Sequence, residues 1–236
     1  MKLNSLLATI LVAWLSGSST TVLAGPQNIT AAEWARLPRY CPDTQRHGPY
    51  EANKGKWEAV MGPGFEHMHH YCWGLINFAR AERATVTKEQ KLYLRGVAED
   101  DFLYIVKNTN DRFILLPEVL TWIGRTRLLR LKPDDANKAF AKARALKPDY
   151  WPAYTYWADF LLASGRKAEA LAMVKLGLQH APQSKALSEL FRTLGGKPGD
   201  IPPPIANKAD IPVTETPSPE QPGNPPVTAK DAQGQN

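Results

Sequence analysis

The sequence is poor in cysteine, and its body holds no long apolar run. Only Cys41 and Cys72 occur among 236 residues. They form neither CxxC nor CxxCH, which removes thioredoxin-like redox chemistry and covalent haem attachment. There is no phosphate loop, no Gly-x-Ser-x-Gly and no His-Glu-x-x-His. Without a nucleophile and its base, the chain does not read as an enzyme and implies no cofactor. The net charge of +6 comes with no basic block and no nucleic-acid motif, so nucleic acid is not an expected partner. Beyond Ala24 no apolar stretch is long enough to span a bilayer.

The two ends differ from the body. Lys2 and the apolar run Leu6 to Leu15, followed by Val22-Leu23-Ala24, have the form of a secretory signal over residues 1–24. Gly25 is then the expected mature N-terminus, and the mature protein is expected to be periplasmic or secreted. No Cys follows the run, so a lipid anchor is not expected. From Gly196 to Asn236 the chain carries ten of its twenty prolines and almost no large apolar residues. Such a segment cannot bury enough surface to offset its ordering entropy, and 196–236 reads as a disordered Pro-rich tail. Leaving out Lys2, the three tail lysines and the five tail acids, the body keeps 25 basic and 18 acidic residues. A basic body attracts an acidic partner or an anionic surface.

The body repeats itself at an offset of 34 residues. Leu120 falls on Tyr154, Ile123 on Trp157, Gly124 on Ala158, Ala136 on Ala170, Phe140 on Val174, Ala143 on Gly177 and Pro148 on Pro182. Each pair is of one kind: large apolar, small, or proline. That period belongs to helix-turn-helix solenoids. Pro117 to Leu131 and Trp151 to Ala163 have helical apolar spacing, as do Asp135 to Leu146 and Lys167 to His180. Lys132-Pro133-Asp134 and Ser164-Gly165-Arg166 read as the turns within pairs, and Pro148 and Pro182 as stops.

These residues resemble the tetratricopeptide repeat family, in repeats 117–150 and 151–184. Leu120 and Tyr154 stand where that family usually has Trp, and Arg127 and Leu161 stand where it often has Tyr. Upstream, Gly74, Ala98, Phe102 and Ile105 copy the pattern in a divergent pair over 65–107. Lys185 to Leu194 reads as a capping helix, with Leu187, Leu190, Phe191 and Leu194 as its apolar stripe. The expected fold is all-α: a helical-repeat solenoid over 65–195, about three helix pairs plus the cap.

Residues 25–64 read as an irregular leader packed on the first pair. It has one short helix, Ala31 to Leu37, capped by Thr30 with Glu33 three residues on. Trp34, Tyr40 and Trp57 are its apolar anchors. In an oxidising compartment Cys41 and Cys72 are expected to pair, with free thiols or metal ligation as the competing readings. His67, His69 and His70 crowd just before Cys72. His67 and His70, joined by His47 from the leader, make an alternative zinc or copper site. One helix turns His69 about 100° from His70, which favours a structural role for the cluster.

In such repeats the first helices line the concave side. That places Glu118, Thr121 and Arg125, then Thr155 and Asp159, along a candidate groove. Trp122 and Tyr156 align at 34 and are either core residues or groove aromatics. The resemblance implies an exported scaffold or adaptor that binds another protein or peptide in the cell envelope. The alternative is a periplasmic metal-binding protein using the histidine cluster.

Overall fold

The computed structural model describes residues 26, 28–45, 50–201 and 203–205. The expected signal segment and the tail beyond residue 205 lie outside the described residues. The described chain is helical, with no strand among those residues. Its α-helices are α1 (Ala31–Trp34), α2 (Tyr50–Met61), α3 (Met68–Ala81), α4 (Lys88–Asn108) and α5 (Leu116–Leu129), then α6 (Pro133–Leu146), α7 (Pro152–Ala163), α8 (Lys167–His180) and α9 (Lys185–Thr193).

Local chemistry sets the helix starts. Thr30 and Glu33 form a reciprocal capping box on α1, and Thr87 and Gln90 do the same on α4. The Ser184 hydroxyl accepts from the Leu187 N–H to open α9. Pro133 was expected in a turn but is the first residue of α6. Its missing N–H is one of the donors that a first helical turn leaves unpaired anyway. The turn before it is made instead by Arg130 to Lys132.

The helices pack as adjacent pairs: α3 with α4, α5 with α6, α7 with α8. The first helices α5 and α7 also touch, and α9 covers α7 and α8 at the C-terminal end. Close crossings explain the small residues. A Cβ on Gly124 would sit 2.7 Å from the Phe140 ring, and one on Gly74 would sit 2.5 Å from the Phe102 ring. The divergent first pair therefore crosses as the regular pair does. Phe102 and Phe140 are wholly buried, each worth about 2–3 kcal/mol of apolar burial.

The leader is less irregular than its sequence suggests. Tyr50 to Met61 forms a three-turn helix, although no apolar period marks it. Long-range polar contacts hold it: Trp57 Nε1 and Asn53 Nδ2 donate to the Asp43 carboxylate at 2.6 and 3.0 Å. The helix expected from Ala31 to Leu37 ends at Trp34, where Arg36 and Leu37 shift to tighter bonds ahead of Pro38. The leader is strapped to α3 by the disulfide between Cys41 and Cys72 and by Glu33, which takes Arg80 and Arg83. The Arg80 guanidinium foremost holds the Glu33 carboxyl down at about 2.

At the other end the packed body runs past the expected boundary at Gly195. Gly196 lies directly against the Phe191 ring, and Ile201 packs on the core. The Ile205 N–H donates to the Gln179 carbonyl at 2.9 Å.

Candidate functional site

Helical spacing places Glu118, Thr121, Trp122 and Arg125 on one face of α5. Because α5 lies beside α7, that face meets Pro152 and Tyr156, with Tyr150 from the preceding turn. Together they enclose a narrow cleft of about 50 Å³.

Arg125 dominates the cleft. Its guanidinium carbon lies 4.0 Å from the Trp122 ring centre and 4.1 Å from that of Tyr156, with the Phe78 ring of α3 at 5.2 Å. Ring faces attract a cation electrostatically, and desolvation strengthens the effect. Burial pulls the Arg125 pKa down, offset by the surrounding tyrosines. An arginine nevertheless keeps its charge in proteins. Among the described residues, no carboxylate stands within ion-pair distance of it.

Glu118 forms the other pole. The Tyr71 hydroxyl of α3 donates to its carboxylate, and the Trp122 side chain lines the cleft beside it. Burial nevertheless pushes the Glu118 pKa above its ordinary value, against the Tyr71 bond and the charge of Lys147. Burial, then the Glu118 charge, pushes the Tyr40, Tyr71 and Tyr150 phenols well up, so they stay neutral. The leader backs this floor: the Tyr40 ring lies 6.5 Å from Tyr71 and 5.8 Å from Trp57.

Glu118, Thr121, Trp122, Arg125 and Tyr156 thus come together, while Thr155 and Asp159 do not line the cleft. Thr121 is buried and gives its hydroxyl to the Pro117 carbonyl at 2.9 Å, so it serves as wall. Thr155 is turned about 100° from Tyr156 on α7. It is buried, with its hydroxyl on the Pro152 carbonyl at 3.2 Å. Asp159 is exposed and makes no pair with Arg125. Trp122 is half-buried and faces both ways, with Phe78 at 5.1 Å and Phe102 at 6.0 Å. Sequence reasoning missed Tyr150, Pro152 and Phe78. Leu116 occupies the Tyr150 position one repeat earlier, so the 34-residue register carries no signal for that tyrosine.

The histidines gather differently from the helical-wheel expectation. His67 lies in a short 3-10 turn before α3, so it shares no helical face with His70. The His69 and His70 rings are 4.5 Å apart despite the angle between their positions, because both turn onto Trp73, at 4.9 and 5.0 Å. His70 also stacks on Tyr104 at 3.8 Å and places Nδ1 2.7 Å from the Asp101 carboxylate of α4. Burial raises the Asp101 pKa, and the His70 hydrogen bond works against it. His69 Nδ1 lies 3.0 Å from the Glu66 carbonyl. Among the described residues, no three His, Cys, Asp or Glu side chains converge as metal ligands. His47 lies outside the described residues.

Neither the curated proteins nor the solved structures contain a match to this chain. Residues 132–190 match the tetratricopeptide repeat family model, so from α6 through most of α9 the chain is similar to a family of helical-pair interaction modules.

Proposed function

We propose that the chain is a non-catalytic scaffold that works in the cell envelope after export, holding a partner through an extended peptide segment laid across α5 and α7. One observation carries the reading: Arg125 is clasped between Trp122 and Tyr156 without a carboxylate of its own. Both rings lie about 4 Å from its guanidinium carbon, and its N–H groups remain as donors. A partner's acidic group would satisfy those donors, and the adjoining aromatic walls would cover an apolar neighbour. The acid already present, Glu118, is engaged by the Tyr71 hydroxyl and closes the far end of the cleft.

The test is photo-crosslinking from a benzophenone residue at the exposed Asp159 position, one turn beyond Tyr156 on α7, in the native envelope fraction. Adducts are expected to fall about tenfold in both Arg125→Glu and Tyr156→Ala, with helical circular dichroism unchanged. Adducts indifferent to both substitutions would remove the cleft from the function. Recovery of the chain from the cytoplasm alone, with Met1 intact, would remove the export half of the proposal.

A further inference from the structure

A second face carries chemistry that the cleft does not use. The first turns of α4 and the end of α5 bound a shallow cavity of about 460 Å³. Leu92, Leu129 and Leu131 line it, and all three are exposed, by 43%, 37% and 87%. Lys88, Lys91 and Arg95 supply its charge, and no acid lines it. Arg95 is committed: it donates to Glu82 at 2.8 Å and to the Leu129 carbonyl at 3.1 Å, which fixes the end of α5 against α4. Lys88 and Lys91 make no ion pair among the described residues.

Leu131 is the informative residue. It closes α5 in the left-handed region, with φ 60°, while the Lys132 N–H reaches back to the Arg127 carbonyl at 2.9 Å. One repeat later the same position is Gly165, with φ 77°. Glycine is the residue that suits this helix-ending conformation. A leucine there strains the backbone and also places its side chain in water, so neither local stability nor core packing accounts for it.

We propose that this patch docks the protein on an anionic lipid bilayer surface. Leu131 enters the interfacial layer with Leu92 and Leu129 beside it, and the two lysine ammoniums meet headgroup phosphates. The cations favour a bilayer over a folded acidic partner. Lysines are mobile point charges suited to a diffuse field of phosphates, whereas Arg95, the one fork able to read a carboxylate in two bonds, is already engaged. The excess of 25 basic over 18 acidic residues in the body adds long-range attraction to a negative membrane. The cleft on α5 and α7 plays no part in this contact.

The test is co-sedimentation of the mature chain with phosphatidylcholine vesicles, with and without phosphatidylglycerol, at low salt. Binding is expected only with phosphatidylglycerol. Leu131→Gly is expected to weaken it about tenfold without lowering the melting temperature, since glycine accepts φ 60° freely, so a loss cannot be blamed on misfolding. Lys88→Glu with Lys91→Glu is expected to abolish binding. Lys107→Glu with Lys138→Glu, the same change of net charge elsewhere, is expected to retain most of it. No sedimentation with anionic vesicles overturns the proposal. So does indifference to Leu131→Gly, or equal loss in the two charge reversals, which would mean diffuse attraction alone. Binding of an acetylated Glu-Asp-Leu-Leu-Asp-Glu peptide at the patch, with vesicles ignored, would also overturn it and assign the face to a protein partner.

Discussion

Small residues in the first helices are matched to the bulk of the side chain opposite. Gly74 faces Phe102 and Gly124 faces Phe140, whereas the third pair has Ala158 and Val174, both fully buried, at the corresponding positions. Where the first helix carries no side chain the second carries a ring, and where it carries a methyl the second carries a smaller branched group. Gly124→Leu must therefore displace an aromatic ring that has nowhere to go. It is expected to cost about 2–3 kcal/mol or more in urea unfolding. Toleration would mean that the crossing is looser than the Cβ distance implies. This pattern was legible in the sequence, because small and large residues recur at the 34-residue offset. The state of Glu118 was not legible, since its partner Tyr71 lies 47 residues away. With a folded pKa raised above 4.5, Glu118 keeps its proton in the folded state after the unfolded chain has released it. Stability then falls as pH rises from 4.5 through the raised value. Glu118→Gln removes that dependence and keeps a carbonyl to accept from Tyr71. Variant and wild type are expected to melt alike near pH 4, with the variant gaining on the wild type as pH rises to 7. A constant difference across that range would mean that the carboxyl is not held neutral by burial.

Two elements show why local pattern fails. Helix α4 has twenty-one residues and is weakly amphipathic to the eye, because its buried side includes Glu99 and Asp101. Both acids are supported from other helices: Glu99 takes Arg127 and Arg130 of the α5 region, and Asp101 takes His70 and Asn77 of α3. Helix α2 has no apolar stripe and depends on Asp43, an acid in the preceding turn. Such elements are specified by tertiary partners, which no local window contains. The leader that carries α2 rests on the Cys41–Cys72 bond, which closes a loop of 31 residues. Loop entropy assigns that closure about 3–4 kcal/mol. Cys41→Ser with Cys72→Ser is expected to lower stability by that order. It is also expected to open α2 to limited proteolysis before α5 to α8, whose packing does not involve the leader cysteines. Simultaneous cleavage throughout would mean that leader and repeats unfold as one unit.

At the scale of the whole molecule, the repeat period gave the stacking of pairs, and the stacking brings α5 beside α7, so five of the seven expected groove residues meet in one cleft. Thr155 and Asp159 were misplaced because a register derived from core positions fixes which helices are neighbours but not how far each is rotated at its outer face. The C-terminal limit was misplaced for a compositional reason. Proline content argued for a boundary at Gly195, yet Ile201 packs on the core and the Ile205 N–H bonds to the Gln179 carbonyl of α8 beyond it. These contacts close the stack: Gly196 fits under the Phe191 ring, and Ile201 covers apolar surface that α9 leaves open. Ends of solenoids are where such cover matters, since a terminal repeat has a neighbour on one side only. A chain ending at Gly196 is therefore expected to melt a few degrees below one ending at Ile205, as the loss of about 1–2 kcal/mol of side-chain burial and backbone bonding requires. The difference should also appear as faster amide exchange in α8 and α9, with α3 and α4 unaffected, because unfolding of a stacked array begins at its least covered end. Equal melting temperatures and equal exchange for the two chains would return the boundary to Gly195 and make the Ile205 bond to Gln179 energetically silent.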